Sequence, residues 1–265
     1  MHFLILASIL KGTTTMQRFD YIIVGAGSAG CVLAHRLSED AGVTVALLEA
    51  GGSDRKFFIQ TPAAYSKLHY SKVDWAFKTV PQPHVANRQM HQPRGKVLGG
   101  CSSTNCMAYI RGHQSDYDHW ADLGNRGWNY AEVLPYFRKA EHNAQFNDQW
   151  HGQGGPLHVT HSENYVTPLG KAFVAAHEEL GYPANPDFNG ATQEGAGLFQ
   201  FTIKEGRRCN TVNAYLSQSK TRPNLTVISQ AMVQRVLVEG GTAKGVEYLA
   251  NGGKKVQIEA VREVI

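Results

Sequence analysis

One short passage near the N-terminus, DYIIVGAGSAG at residues 20–30, constrains the fold of this chain more than any other. Residues 21–24 are apolar and rich in β-formers, the pattern of a strand buried on both faces. Gly25, Gly27 and Gly30 follow in the spacing G-x-G-x-x-G, and residues 28–37 continue as a helix of small residues. Gly25 permits the tight turn, Gly27 lets a pyrophosphate approach the backbone, and Gly30 lets helix and strand pack closely. Ser28 and Ala29 open the helix, whose unpaired N–H groups and partial positive charge suit an anion. A second apolar run, residues 43–48, ends in Glu49 and is followed by Ala50. An acid at that place accepts from both hydroxyls of an adenosine ribose and repels a 2′-phosphate, which argues against NADP. Strand, glycine turn, helix, strand and acid fall in order, so the expectation is a dinucleotide site in a Rossmann-like α/β domain rather than a bare βαβ unit.

At 265 residues the chain is long enough for one large domain or a domain with a smaller insertion. A net charge of +4 with no basic run interleaved with aromatics sets nucleic acid aside as a partner. The four cysteines (Cys31, Cys101, Cys106, Cys209) have no C-x-x-C spacing, so the reading is reduced, mostly buried thiols and no metal site. An apolar run at residues 3–10 is too short to span a bilayer and lacks a basic flank or an A-x-A cleavage site. Residues 1–16 read as a non-native or disordered extension, with a degenerate signal peptide as the alternative. No span or basic amphipathic helix is evident, so the expected location is cytoplasmic, with peripheral association at the inner membrane left open.

Further along, residues 54–70 lack clean periodicity and read as an irregular excursion, and residues 74–80 alternate as a strand. Residues 93–108, PRGKVLGGCSSTNCMA, place a Gly-Gly pair before small hydroxyl residues and an apolar, helix-like run. Two readings stand side by side: a second cradle for an anion or ring edge, or a helix start capped by Ser and Thr. Residues 116–140 read as two helical pieces broken at 124–128, with Trp120, Trp128, Tyr136 and Phe137 as core. A strand is expected at 156–160, then an amphipathic helix at 168–180 with Leu169, Phe173, Ala176 and Leu180 on one face. Another strand is expected at 198–203 and a helix at 210–216 with Thr211 near its cap. Residues 225–229, 233–239 and 245–249 read as a β-meander. Val261 to Ile265 is strand-like, and a strand ending the chain leads us to expect an N-terminal fragment of a longer protein.

With both glycine motifs in view, the chain resembles the glucose–methanol–choline (GMC) family of FAD-dependent oxidoreductases, in the branch of choline dehydrogenase and FAD-dependent alcohol dehydrogenases. The resemblance rests on residues 19–31, 47–51, 93–105 and 109–112. It extends through Gly127, Trp128 and residues 135–137 to 185–190. It implies a Rossmann-like FAD/NAD(P)-binding domain with the start of an antiparallel-sheet substrate domain inserted in it. The FAD-binding parts would be residues 17–155 and 206–265, and the substrate part residues 156–205.

By the same resemblance, Gly25, Gly27, Ser28, Ala29 and Gly30 hold the FAD pyrophosphate, and Glu49 with Ala50 the adenosine ribose. Val97, Gly99, Gly100, Asn105, Cys106, Met107 and Ala108 line the flavin and ribityl chain, and Val233 meets the adenine through its backbone. Some relatives carry a flavin-linked His just before the motif's Asn. Thr104 stands there and cannot form that bond, so FAD is expected to bind non-covalently. The implied reaction passes hydride from a primary alcohol to flavin N5 while a base removes the hydroxyl proton. In the family that base is a His near the C-terminus, and its place is expected to lie beyond Ile265. No catalytic residue is therefore assigned here, and the chain alone is expected to be inactive. The twelve His residues, including His69, His84, His113, His119 and His151, read as surface or packing groups. The electron acceptor is a quinone, another carrier or oxygen. The rival readings are a non-catalytic FAD-binding fragment, a lyase of the same family, and an NAD-dependent Rossmann dehydrogenase.

Overall fold

The computed structural model describes residues 16–161 and 166–265, so of the expected extension at residues 1–16 all but Met16 lies outside the described residues. The chain begins with β1 (Gln17–Val24), α1 (Ser28–Leu37), β2 (Val45–Glu49), α2 (Phe57–Gln60), β3 (Phe77–Lys78) and β4 (His91–Gln92). It continues through β5 (Ala108–Tyr109), α3 (Gln114–Asp122), α4 (Tyr130–Ala140), β6 (Glu141–Asn143), β7 (Leu157–His161) and α5 (Pro168–Glu179). The last part holds β8 (Gln200–Phe201), β9 (Ile203–Lys204), β10 (Arg207–Arg208), α6 (Ser217–Ser219), β11 (Leu225–Ser229), β12 (Met232–Glu239), β13 (Thr242–Leu249) and β14 (Lys255–Val264).

The main sheet runs β11-β2-β1-β14-β13-β12. Its first four strands pair in parallel, and β13 and then β12 are added through antiparallel pairings. All five residues of β2 are buried, as a central strand covered on both faces requires. One side packs Ile22, Ala46, Leu48, Val246 and Ile258, and the other packs Ile23, Ala34, Val45 and Leu47 with Leu216 and Leu225. Both clusters draw on alternate residues of β1 and β2, which fixes their register, Tyr21 opposite Val45 and Val24 opposite Leu48. A second sheet, β5-β8-β7-β6, is antiparallel except for the parallel pair β6–β7. Among the described residues no helix is long and apolar enough to cross a membrane.

Several expectations need correction. Residues 225–229 do not join the meander: β11 pairs in parallel with β2 at the opposite edge, and β12, β13 and β14 make the meander. An apolar run names a strand but not its neighbour. The strand expected from Val261 to Ile265 begins earlier, at Lys255, and ends at Val264, because the alternation of β14 starts in its polar residues. Ile265 follows it, and its backbone still extends the pairing with β1. Its N–H donates to Ile22 O, and its carbonyl accepts from Val24 N–H, each at 2.8 Å. Only Phe77 and Lys78 of residues 74–80 pair as a strand, because Ala76 sits at a left-handed φ of +51°. Residues 54–70 are less irregular than expected, with α2 followed by a 3₁₀ helix at Pro62–Leu68. The second glycine of the Gly-Gly pair opens a 3₁₀ turn (Gly100–Ser103), and β5 follows rather than a helix.

Helices α3 and α4 lie where expected, yet Trp120, Trp128 and Tyr136 are exposed; Trp120 meets Trp128 edge to face at 5.8 Å on the surface. Phe137 is half-buried against the Arg111 guanidinium. Likewise α5 forms, but Leu169, Phe173, Ala176 and Leu180 are exposed; Gly170, Val174 and His177 are the half-buried positions. The segment at 210–216 is a π-helix (Val212–Leu216). Asn210 Oδ1, not the Thr211 hydroxyl, takes up a free N–H of its first turn, that of Asn213. Cys101 and Cys106 are exposed, so only Cys31 and Cys209 are buried thiols.

Candidate cofactor groove

The turn after β1 is built as its glycines allow. Gly25 takes φ +100°, which few other residues adopt, and its N–H donates to Leu48 O. A Cβ at Gly30 would stand 2.0 Å from Gly25 O, so helix and turn approach as only glycine permits. Over Gly25 and Gly27 the opposite holds: a Cβ there would meet nothing within 4 Å. The space above them belongs to a cavity of about 750 Å³ at the C-terminal ends of β1 and β2. Open-sheet α/β folds take ligands at that place.

The second glycine segment folds against the first. Gly99 N–H donates to Ala26 O at 2.7 Å, and a Cβ on Gly100 would lie 2.8 Å from Gly27 Cα. Gly99 and Gly100 take φ of +87° and +51°, which makes this approach available. Ser102 Oγ–H donates to Gly99 O and Ser103 Oγ–H to Leu98 O, closing the turn. Asn210 Nδ2–H in turn donates to Ser103 Oγ and to the buried Asp54 carboxylate.

Glu49 is 5 % exposed, and burial pushes its carboxyl above the ordinary range. Its Oε2 accepts from Ala26 N–H at 3.0 Å and its Oε1 from Gly51 N–H at 2.7 Å. These bonds fix the carboxylate at the cavity wall, and each oxygen keeps further acceptor capacity.

Of the residues singled out in the sequence, Gly25, Gly27, Ser28, Glu49, Ala50, Gly100 and Val233 line this cavity. Ala29, Gly30, Val97, Gly99, Asn105, Cys106, Met107 and Ala108 are not part of its lining, nor is Ile265, the residue beyond which the catalytic His is expected. Val97 is fully buried with Ile59, Leu68 and Val73. Met107 is buried at a left-handed φ of +65°, its N–H bonded to Asn105 Oδ1. Asn105 and Cys106 are exposed beyond the cavity. Sequence reasoning missed the facing wall: Trp75, Phe77, Arg94 and Gly95, with Cys101 and Met232 beside them. The Trp75 and Phe77 rings stack with centroids 5.7 Å apart, and Lys96 Nζ sits 4.5 Å from the Trp75 centroid. An aromatic pair close before a Gly-rich motif was the available signal, but alternation hid it as an ordinary strand.

Beneath the second motif lies Arg208, 1 % exposed. Its guanidinium donates to Ile59 O, Ser102 O, Asn105 O and Asn105 Oδ1, all neutral acceptors, while Nη2 has no hydrogen-bond partner. Burial pulls its pKa down to about 10. The expectation that His151 is a surface or packing group is half right: it is buried, at the centre of a charged network. Its Nε2 lies 2.8 Å from Asp187 Oδ2 and its Nδ1 3.1 Å from Glu141 Oε1, and Arg111 Nη2 lies 2.7 Å from Glu141 Oε2. Burial alone would lower the His151 pKa, but the two carboxylates raise it to about 9. Asp148, His151 and Asp187 bring donor atoms within 4.8 Å of one another. Both His151 nitrogens face carboxylates, so an ion-pair network describes this cluster better than a metal centre.

The sequence pattern of the GMC oxidoreductases matches residues 19–265. The chain belongs to the GMC oxidoreductase family. It is 51 % identical over 235 residues to an oxygen-dependent choline dehydrogenase of Vibrio vulnificus, covering 88 % of this chain and 42 % of that protein. It is 46 % identical over 247 residues to one of Sinorhizobium fredii, covering 93 % and 44 %. The GMC fold is equally clear in solved structures. Pyridoxine 4-oxidase from Mesorbium loti superposes with a TM-score of 0.89 at 36 % identity, over 93 % of this chain and 48 % of that one. A formate oxidase superposes with a TM-score of 0.86 at 30 % identity, over 96 % and 46 %. The chain therefore spans less than half the length of these relatives.

Proposed function

We propose that this chain is the FAD-binding part of a GMC oxidoreductase that oxidises a primary alcohol of the choline type, and that its groove takes FAD non-covalently. One observation carries the reading: the two glycine segments close on each other beside a cavity over Gly25 and Gly27 that a side chain would otherwise fill. The donor chemistry fits the group. Backbone N–H groups at the start of α1 and the Arg94 side chain suit a pyrophosphate. The Glu49 carboxylate suits ribose hydroxyls, and the backbone at Val233 an adenine edge. Trp75 and Phe77 offer an apolar face to whichever ring lies across it. Bound FAD would supply the two-electron acceptor for alcohol oxidation.

This chain's own residues would bind and orient the cofactor and keep water from its buried side. The base that takes the alcohol proton is assigned to none of them, since among the described residues no histidine lines the cavity. Residues 17–155 and 206–265 would form the cofactor domain, and residues 156–205 the first part of a substrate domain. The family's choline dehydrogenases named as oxygen-dependent favour oxygen as acceptor; a quinone or another carrier remains the alternative. Titrating the purified chain into FAD while following flavin fluorescence tests the proposal. Saturation at one FAD per chain, indifferent to excess NAD, supports it. Preferential binding of NAD would overturn it in favour of a nicotinamide dehydrogenase.

A further inference from the structure

Two non-glycine residues near the groove adopt the left-handed conformation within a few positions of each other: Tyr70 at φ +57° and Ala76 at φ +51°. L-residues seldom adopt it unless their surroundings hold them there, and such strain collects at functional sites. Both are held by the same group. Tyr70 N–H donates to Asp74 Oδ2 and Ala76 N–H to Asp74 Oδ1, each at 2.9 Å. Arg94 N–H adds a third bond to Oδ1 at 3.0 Å, and His91 Nε2 lies 2.8 Å from Oδ2. The Tyr70 ring stacks on the His91 ring at 3.8 Å. The Asp74 side chain is only 3 % exposed, and Asp74 also bridges to Gly95. Burial alone would raise its pKa, but the N–H groups of Ala76, Tyr70 and Arg94, with His91, hold it down at about 2.

The segments tied together in this way are those that carry the wall facing the glycine turn. Trp75 lies between Asp74 and Ala76, with Phe77 next, and Arg94 and Gly95 come from the far side of the hairpin. Asp74 itself does not line the cavity. We infer that Asp74 is a positioning residue of the cofactor groove: its carboxylate holds two left-handed turns and the β3–β4 hairpin so that Trp75, Phe77 and Arg94 face the bound dinucleotide. This rests on the FAD reading above. It adds a residue that meets no cofactor atom and acts through the backbone of those that do.

The test compares the wild-type chain with Asp74→Asn and with Asp74→Asn/Ala76→Gly. Asparagine keeps the shape but replaces one acceptor oxygen with a donor that faces N–H groups. In the FAD-free protein, amide exchange at Tyr70, Ala76 and Arg94 should quicken at least tenfold in Asp74→Asn, and the FAD dissociation constant should rise by roughly tenfold or more. Glycine at position 76 adopts φ +51° unaided, so the double variant should recover about threefold or more in affinity over Asp74→Asn. A residue that merely stabilised the whole fold would lower the melting temperature without that rescue. Unchanged exchange at those amides, an affinity within about twofold of wild type, or a double variant no tighter than the single one would overturn the inference. Should Asp74→Asn not fold, His91→Phe removes one hydrogen-bond partner of the carboxylate and keeps a ring for Tyr70 to stack on; a weaker FAD affinity is expected, and an unchanged one would overturn the inference. A wild-type chain that takes up no FAD would sink the FAD reading instead, and the amide exchange would still decide whether Asp74 holds the wall.

Discussion

Gly27 and Gly100 meet through their α-carbons, so close that a methyl group on Gly100 would stand 2.8 Å from Gly27 Cα. That contact joins the two motifs into one groove, and it separates the outcomes of three alanine substitutions. Gly27→Ala puts its methyl into open space. The FAD-free protein should keep its melting temperature while FAD affinity falls by roughly tenfold or more. Gly30→Ala drives a methyl into Gly25 O and should destabilise the fold itself. Gly100→Ala meets Gly27 at a left-handed φ of +51°, where the backbone cost alone is about 1–2 kcal/mol, and should lose both stability and binding. Thermal melts paired with FAD titrations check all three.

Arg208 tests whether a buried cation without a counter-charge holds the second motif. Arg208→Met would leave the carbonyls of Ile59, Ser102 and Asn105 without their donor; the Ile59 carbonyl is the fully buried one, and an unmet buried acceptor costs about 1–3 kcal/mol. Urea unfolding should show a loss of about 1–3 kcal/mol, with Arg208→Lys in between because lysine keeps the charge but not the planar fork. A fully stable Arg208→Met would contradict this role.

The His151 network sets a pH dependence. Its folded pKa, about 9, lies above the unfolded value of about 6.5. The stability it contributes is therefore complete below about pH 6.5 and is lost as the pH rises through about 9. The melting temperature should fall across that window, and His151→Gln should flatten the profile while lowering its acid side. Glu141 and Asp187, both held below their ordinary range, act in the opposite sense, and their contribution is lost in acid.

The non-covalent binding proposed for FAD turns on Thr104, which the resemblance sets at the place of a flavin-linked histidine; it is buried, with its N–H bonded to Cys101 O. Acid precipitation of the FAD-loaded chain should leave all the flavin in the supernatant. Flavin retained in the pellet would show a covalent link from another residue.

What could be read from the sequence follows physical range. The turn at Gly25, the helix after it and the acid at the end of β2 are local consequences of residue type, and the structure has them in place. The partner of residues 225–229 was not legible, because alternation and β-branching are the same beside β2 as in a meander. Ala76 hid Trp75 and Phe77 in the same way: a left-handed alanine held by a distant carboxylate leaves no mark in a pattern of period two. Leu169, Phe173 and Trp128 look like core because they are large and apolar. Their exposure depends on what else packs there, which no local pattern records. Asp74 and Arg208 stand in no motif of the sequence, since each acts through long-range bonds to backbone groups.

The central claim, that the two glycine segments form one groove for FAD, is tested most directly by uptake of the cofactor. The purified 265-residue chain is incubated with FAD, passed through a desalting column, and the protein fraction is read in the visible region. A yellow fraction holding close to one FAD per chain, and a paler one for Gly27→Ala, is the predicted result. A folded wild-type chain that elutes colourless would contradict it.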